Sequence, residues 1–168
     1  PTFWNAGWFW LELSELMLTV LPKKYKKAGL TMAIALILSL IFCNGIMKHL
    51  WARPRAFWVV GQNFVVGNEF ENLYGIFNSI HDYSFPSGHS SASFAAAVSI
   101  FMWRKKEGSA ALVLAALIAF SRLYFTVHYP TDVLVGTITG ALYGVAAYFI
   151  VKALMNKVPK LNAIFNKQ

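Results

Sequence analysis

Cysteine and charged residues are both scarce in this chain, and the two shortages exclude several classes of protein. Cys43 is the one cysteine among 168 residues, so the chain forms no intrachain disulfide and no metal site built from several cysteines. Charged residues make up 13% of the chain, whereas a soluble domain carries about 25%. Apolar residues make up 57%, and the mean hydropathy is +0.50, which excludes disorder and disfavours a soluble fold. The length indicates a single domain, 1–168.

Acidic residues and nucleotide-binding loops are also lacking. The chain has no glycine-rich loop ending in Gly-Lys-Ser/Thr and no Gly-x-Gly-x-x-Gly. Seven acidic residues stand against fifteen lysines and arginines, for a net charge of +8. In a soluble protein this surplus would suggest nucleic acid. Here the basic residues lie at the ends of apolar runs, so we interpret them as determinants of membrane topology and predict no nucleic-acid partner.

Five apolar runs predict an all-α polytopic membrane protein, a transmembrane helical bundle of about five spanning helices. The clearest run, 28–47, contains no charge and would form about 30 Å of helix, enough to cross a bilayer. The weakest, 3–21, carries Glu12 and Glu15, which we expect to face the bundle or a wet cavity. The other runs are 89–103, 109–127 and 131–154. The first residue is a proline rather than a methionine, which allows one more helix before it.

The basic residues predict the orientation of this bundle. Alternation of five spans puts eleven of the fifteen on one side. The positive-inside rule makes that side cytoplasmic and leaves the C-terminus inside. These residues are Lys23, Lys24, Lys26, Lys27, Arg104, Lys105, Lys106, Lys152, Lys157, Lys160 and Lys167. The segment 51–86 then forms a long extracytoplasmic loop, and a loop of this length in a compact protein is usually functional.

The four remaining basic residues lie on the opposite face, where the positive-inside rule disfavours them. They are Lys48, Arg53, Arg55 and Arg122. Ser87-Gly88-His89 begins one helix on the same face. His128 and Asp132 lie at the start of the last helix, also on that face. This convergence of cations and imidazoles predicts an anion-binding pocket at the water boundary.

These residue types suit the transfer of a phosphoryl group. Negative charge spreads over the oxygens of that group, so catalysis depends on positioning and on electrostatic stabilisation. A neutral imidazole can attack phosphorus when a carboxylate holds its other nitrogen. This predicts His128 as the nucleophile and Asp132 as its orienting partner. The second imidazole, His89, would protonate the leaving oxygen.

The phosphate is expected to bind to cations and to a helix start. Ser87 suits an N-cap, the amides of the first turn attract anions, and Gly88 permits close approach of the backbone. Lys48, Arg55 and Arg122 would neutralise the charge that a metal ion neutralises in other enzymes. We therefore predict neither a metal nor a cofactor.

Other interpretations of the polar residues stay open. A metal site is the disfavoured alternative, since three neighbouring cations would repel the ion. Its ligands would be His81, His89, His128 and Asp132. We expect His49 and His81 to be packing or hydrogen-bonding residues. We expect Arg53 to bind lipid phosphate at the interface.

The last apolar run carries a glycine at every fourth position: Gly136, Gly140 and Gly144. Small residues at this spacing let helix backbones approach closely in lipid. The run that follows Ser87 is similarly rich in alanine and serine. We interpret both runs as packing surfaces that press the helix of Asp132 against its neighbours.

Three groups of these residues resemble the signature motifs of the type 2 phosphatidic acid phosphatase superfamily. The groups are Lys48, six residues, then Arg55; Pro86-Ser87-Gly88-His89; and Ser121-Arg122, five residues, His128, three residues, Asp132. Order and spacing agree at every position but one, because Ala56 stands where the family usually has proline. A register on Arg53-Pro54 would shorten the spacing by two residues, so we prefer Arg55 as the phosphate ligand.

The resemblance implies a membrane enzyme that acts at the extracytoplasmic face on an amphiphile whose tail stays in the bilayer. It implies five phosphate ligands: Lys48, Arg55, Ser87, Gly88 and Arg122. It also implies that His128 forms a phosphohistidine, that Asp132 orients His128, and that His89 is the general acid.

Within that family the chain resembles bacterial inner-membrane undecaprenyl pyrophosphate phosphatases, so hydrolysis of this lipid diphosphate is the expected function. Phosphatidylglycerophosphate and phosphatidate phosphatases are the alternative, because the motifs contact only the phosphate. A lipid phosphotransferase with the same pocket, and an anion-binding membrane protein without chemistry, are the alternatives from other classes. The expected partners are the lipid phosphate and the bilayer, and no oligomeric state is predicted.

Overall fold

The computed structural model describes residues 6–54, 83–125 and 127–158, and within these ranges the regular structure is entirely helical. The helices are α1 (Ala6–Thr19), α2 (Lys23–Trp51), α3 (Gly88–Trp103), α4 (Lys105–Tyr124) and α5 (Pro130–Lys157). The central helix, α3, packs against each of the other four. The predicted all-α class is confirmed. Most of the predicted loop 51–86 lies outside the described residues.

Three of these helices are long and apolar enough to cross a membrane: α2 with 29 residues, α4 with 20 and α5 with 28. The outer faces of α4 and α5 expose Val113, Leu117, Phe120, Leu134, Ile138 and Leu142. Such faces suit contact with lipid, and the chain is an integral membrane protein. By contrast, α1 has 14 residues and α3 has 16, shorter than the ~20 that a span requires. The topology of five spans therefore stays a prediction.

One face of α1 packs on the bundle, and its carboxylates lie elsewhere. Trp10, Ser14 and Met17 are buried on that face. Their spacing of three and four residues is the spacing of one helical face. Glu12 and Glu15 fall on the other side of the helix and are exposed. Of the two placements expected for these carboxylates, the one facing the bundle is therefore wrong within the described residues, and the wet cavity stays a prediction.

Two helices begin inside the basic clusters rather than after them. The first residue of α2 is Lys23, five positions before the predicted run, and the first residue of α4 is Lys105. Of the basic triplet 104–106, only Arg104 leaves the helical conformation, with φ −139° and ψ 90°. Lysine is a good helix former, and its long side chain reaches water from a first turn. The basic residues consequently mark helix ends and not loops.

The glycines of α5 bring this helix into close contact with α3. A Cβ on Gly136 would lie 2.5 Å from the carbonyl oxygen of Ser87. A Cβ on Gly140 would overlap the carbonyl oxygen of Ser91, and one on Gly144 would also meet the backbone of α3. These obstacles are backbone atoms, which cannot move aside as a side-chain tip can. The predicted packing function of the three glycines is confirmed.

The last third of α2 departs from α-helical geometry. Ser39–Met47 forms a π-helix, and the α-helical turn Lys48–Trp51 follows it. Such π segments are frequent at functional sites. Ala52 then adopts a left-handed conformation, with φ 41° and ψ 36°, and ends the helix. The sequence pattern predicted neither the π-helix nor the left-handed Ala52.

Candidate active site

Three chain segments are tied together at the end of the bundle where α2 ends and α3 and α5 begin. The Ser84 N–H donates a hydrogen bond of 2.8 Å to the Arg53 carbonyl. The Ser87 N–H donates one of 3.0 Å to the Asp132 carbonyl. Backbone bonds therefore fix the residues after α2, the residues before α3 and the first turn of α5 relative to one another.

A cavity of about 440 Å³ lies beside this junction. Its polar wall consists of Asn44 and Lys48 from α2, His89 from α3, and His128, which precedes α5. The rest of the lining is apolar or small: Gly7, Trp8, Leu11, Leu40, Gly88 and Ala92. Lys48 is only 5% exposed, and a buried ammonium favours binding of an anion. The cavity thus brings together four predicted site residues: Lys48, Gly88, His89 and His128.

The ring of His128 is held through its Nδ1 atom. This atom lies 2.8 Å from the carbonyl oxygen of Ser84 and 3.4 Å from the Ser84 Oγ. A carbonyl oxygen only accepts hydrogen bonds, so Nδ1 carries the proton in the neutral ring. The other ring nitrogen, Nε2, is then the one with an unprotonated lone pair. His128 is buried, with 4% of its surface exposed.

Asp132 is fully buried, and both of its carboxylate oxygens are engaged. Oδ2 accepts hydrogen bonds from the Ser84 hydroxyl and, at 3.0 Å, from the Tyr129 N–H. Oδ1 lies 2.8 Å from Nη1 of Arg53. The carboxylate is 3.7 Å from Nδ1 of His128, measured to Oδ2. The nearest acceptor for the imidazole is therefore the Ser84 carbonyl, and Asp132 lies just beyond hydrogen-bonding distance.

Arg53 reaches the first turn of α5 instead of extending towards a lipid headgroup. Its Nη1 atom donates to Thr131 Oγ1 at 2.8 Å as well as to Asp132. Its guanidinium lies over the Tyr129 ring, 3.9 Å from the centroid. These contacts give Arg53 partners within the protein, and the expectation that it binds lipid phosphate stays a prediction.

Ser87 is the N-cap of α3, as predicted from the sequence. Its Oγ accepts hydrogen bonds from the Ser90 N–H at 3.4 Å and from the Ser90 hydroxyl at 3.0 Å. The hydroxyl of Ser87 is buried and faces its own helix. Gly88 lies on the cavity, where a Cβ would come 2.6 Å from Oδ1 of Asn44. A side chain at position 88 would therefore crowd the polar wall.

Among the remaining predicted phosphate ligands, the structure describes Arg122 but not Arg55. Arg122 is in the last turn of α4, where its Nε and Nη2 atoms donate to Ser121 Oγ at 3.2 and 3.1 Å. It is not among the described residues that line the cavity. Arg55 lies outside the described residues, as does His81. His49 is exposed, and its Nδ1 lies 2.9 Å from the Gly45 carbonyl, in agreement with a hydrogen-bonding function.

Three features of this site were not predicted from the sequence: the residues Ser84 and Asn44, and the position of Arg53. Asn44 precedes Lys48 by four residues, and this spacing could have indicated a shared helix face. Ser84 lies three residues before the N-cap Ser87 and carries no recognisable pattern of its own. Its importance arises from contacts with residues more than forty positions away.

Comparison with known proteins identifies the family. The model of the PAP2 superfamily matches residues 27–156, a range that contains all three motifs. The chain belongs to the PAP2 superfamily. PAP2 denotes the type 2 phosphatidic acid phosphatases, so the predicted family is confirmed.

Relatives of this PAP2 chain cover most of its length. It is 35% identical over 128 residues to the putative undecaprenyl-diphosphatase YbjG of Escherichia coli, which covers 75% of the chain and 58% of that relative. Identity to the undecaprenyl-diphosphatase of Sulfolobus acidocaldarius is 28% over 139 residues, covering 82% of the chain and 61% of the relative. The lipid A 4'-phosphatase of Bacteroides thetaiotaomicron is 30% identical over 154 residues, covering 86% of the chain and 65% of the relative. The chain thus spans about three fifths of the length of these curated relatives. No solved structure matches it.

Proposed function

We propose that this chain is a membrane lipid phosphatase that acts through a phosphohistidine on His128. One observation carries the proposal: Nδ1 of a buried imidazole lies 2.8 Å from a carbonyl oxygen, which places the proton of the neutral ring on Nδ1 and leaves the lone pair of Nε2 for attack. The same ring lines a cavity together with the buried cation Lys48 and the second imidazole His89. The cavity thus offers a candidate nucleophile, a cation and a candidate acid, the groups that the proposed phosphoryl transfer requires.

In the first step, the lone pair of His128 Nε2 attacks the terminal phosphorus. The bond from phosphorus to the bridging oxygen breaks, and His89 donates a proton to that oxygen. Lys48 neutralises the phosphoryl oxygens, with Arg55 and Arg122 as further ligands. The imidazole becomes cationic as the nitrogen–phosphorus bond forms. Asp132, 3.7 Å from Nδ1, stabilises that charge.

In the second step, water attacks the phosphohistidine. His89, now neutral, accepts a proton from the water, the nitrogen–phosphorus bond breaks, and inorganic phosphate leaves. Ser87 and Gly88 begin α3, and the first-turn amides of that helix bind the phosphate. Arg122 contributes once its side chain turns from Ser121 towards the cavity.

For the substrate we propose undecaprenyl pyrophosphate. The names of two relatives support it, since both are called undecaprenyl-diphosphatases. The apolar part of the cavity lining, which includes Leu11 and Leu40, offers a surface for the first units of a hydrocarbon tail. Phosphatidylglycerophosphate and phosphatidate are the alternative substrates, because the catalytic groups contact only phosphate.

A lipid phosphotransferase is the second candidate function. Its first step would be the same, and an acceptor hydroxyl would replace water in the second. Detection of a phosphorylated acceptor in place of free phosphate distinguishes the two. An anion-binding protein without chemistry would retain its function when His128 is replaced.

The same proposal includes a topology. We propose five spans in a bacterial cytoplasmic membrane, the active site at the extracytoplasmic face and a cytoplasmic C-terminus. Support comes from the basic residues at the end of the bundle away from the cavity, which include Lys24, Lys27 and Lys105. Their clustering agrees with the positive-inside rule.

The proposal is tested by measuring phosphate release from a panel of lipid phosphates and diphosphates in detergent micelles. We expect the wild type to release phosphate fastest from undecaprenyl pyrophosphate, also in excess chelator. His128→Ala should lower kcat by at least ~1,000-fold, because the covalent intermediate cannot form. His49→Ala is the matched control, since this imidazole is exposed and bonded to its own helix, and it should retain wild-type turnover. Phosphate release by His128→Ala at the wild-type rate would contradict the mechanism.

A further inference from the structure

We propose that Arg53 is a positioning residue for the nucleophile: it acts through Asp132 and does not bind the phosphate. The inference rests on the proposed function, in which His128 attacks phosphorus. It concerns a residue that the sequence analysis assigned to lipid binding.

The guanidinium of Arg53 is fixed on α5. Nη1 lies 2.8 Å from Asp132 Oδ1 and 2.8 Å from Thr131 Oγ1. The Tyr129 ring lies under the guanidinium carbon at 3.9 Å. These three contacts, to a carboxylate, a hydroxyl and a ring face, use the planar shape and the charge of arginine. Arg53 is not among the described residues that line the cavity.

The contact with Arg53 sets the rotation of the Asp132 carboxylate. Oδ1 is held by Arg53, whereas Oδ2 is held by Ser84 and by the Tyr129 amide and is the oxygen nearest His128. Asp132 is fully buried, and a buried carboxylate is unfavourable without a counterion. Among the described residues, Arg53 is the cation in contact with it. One guanidinium thus provides both the charge balance and the orientation.

The conformation of the backbone before Arg53 also directs this residue towards α5. Ala52 is in the left-handed region, at φ 41°, a conformation that is unfavourable for a residue with a Cβ. Such strain persists only where surrounding contacts determine the conformation. The next residue supplies those contacts: the Arg53 carbonyl accepts the Ser84 N–H at 2.8 Å. The strained turn therefore directs Arg53 back to α5.

The charges around His128 give the expected effect of removing Arg53. Lys48 and His89 share its cavity, Arg122 ends α4, and Asp132 lies behind the ring. Without Arg53, the negative charge of Asp132 is no longer balanced, and the carboxylate can rotate towards Nδ1. Both changes favour the protonated imidazole, which cannot attack phosphorus. Turnover should fall, whereas the phosphate ligands are unchanged.

The test compares Arg53→Gln, Arg53→Lys, Asp132→Asn and the double variant Arg53→Gln/Asp132→Asn in the purified full chain. For Arg53→Gln we expect kcat to fall about 10- to 100-fold with KM within about threefold of the wild type. The inhibition constant of inorganic phosphate should be unchanged. In the Asp132→Asn background the same substitution should change kcat by less than about threefold. Arg53→Lys should recover part of the turnover.

A matched control variant and the kinetic constants distinguish a positioning function of Arg53 from a phosphate-binding function. Arg104→Gln removes another arginine–carboxylate pair, with Glu107 at 2.6 Å, far from the cavity, and should retain wild-type kcat. A higher KM and a weaker phosphate inhibition in Arg53→Gln, or additivity with Asp132→Asn, would identify Arg53 as a phosphate ligand and overturn the proposal. If Arg53→Gln does not fold, Arg53→Lys should still show a smaller loss of kcat with KM and phosphate inhibition unchanged, since lysine keeps the charge but loses the planar contacts.

A measurement that does not depend on catalysis separates this inference from the proposed function. Nitrogen NMR of labelled histidines follows the protonation of His128, assigned by comparison with His128→Ala. In Arg53→Gln we expect the midpoint of His128 protonation to move to higher pH by about half a unit or more. If the wild type hydrolyses no lipid phosphate but this midpoint moves, the proposed function fails and the positioning by Arg53 stands. An active wild type with an unchanged midpoint in Arg53→Gln would refute the inference alone.

Discussion

At the scale of single residues, Ser84 joins the two halves of the site through different atoms. Its carbonyl oxygen accepts the proton on Nδ1 of His128, and its hydroxyl donates to Asp132. The first contact belongs to the backbone and survives any substitution, whereas the second depends on the hydroxyl. A substitution that removes the hydroxyl and keeps the carbonyl therefore separates the two functions of Ser84.

We predict that Ser84→Ala lowers kcat about tenfold and leaves KM near the wild-type value. Loss of a hydrogen bond to a buried carboxylate costs about 1.5–3 kcal/mol, and part of this loss should appear in the positioning of Asp132. Because the Ser84 carbonyl remains, the tautomer of His128 should persist. Phosphate release kinetics measure the effect. Ser99→Ala is the control, since the Ser99 hydroxyl is buried in α3 and, among the described residues, donates to the Ala95 carbonyl of its own helix. Equal losses in both variants would contradict a specific function for Ser84.

At the scale of helices, the sequence predicts what depends on local patterns. Apolar runs located the five helices, and Ser87 was identified as an N-cap. The π-helical segment and the left-handed Ala52 were not predicted, because both depend on how α2 meets other helices. The positions of Ser84 and Arg53 were missed for the same reason, since their partners lie far away in the chain. Local patterns singled out His128, and tertiary contacts determine what holds its ring.

The glycine contact between α3 and α5 gives a prediction at this scale. Gly140→Ala should lower the free energy of unfolding by about 1–3 kcal/mol, because the new methyl group meets the backbone of Ser91. It should also lower kcat, since α5 carries Asp132. Thermal unfolding in detergent measures the stability. Gly45→Ala is the matched control: there a Cβ would lie 3.6 Å from the nearest atom, an ordinary contact. A Gly140→Ala protein as stable as Gly45→Ala would show that the two helices can separate without cost.

At the scale of the whole molecule, the polar residues divide between the two ends of the bundle. One end has the cavity with Lys48 and His128. The other end has the lysines that begin α2 and α4, where Lys27 lies 5.6 Å from the Trp103 ring and Arg104 pairs with Glu107. An amphiphilic substrate needs a water-exposed reaction site at one membrane surface only. The two ends therefore must lie at opposite surfaces if the proposed topology holds.

Cysteine labelling measures this arrangement directly, because Cys43 is the one native cysteine and is buried. In a Cys43→Ala background, Tyr83→Cys marks the cavity end and Lys106→Cys marks the basic end, and both positions are exposed. In intact cells, we expect a membrane-impermeant maleimide to label Tyr83→Cys and not Lys106→Cys. Permeabilised cells should label both, which shows that each thiol is reactive. Labelling of Lys106→Cys from outside would invert the topology and place the phosphatase site in the cytoplasm, where lipid diphosphates of the outer leaflet could not reach His128.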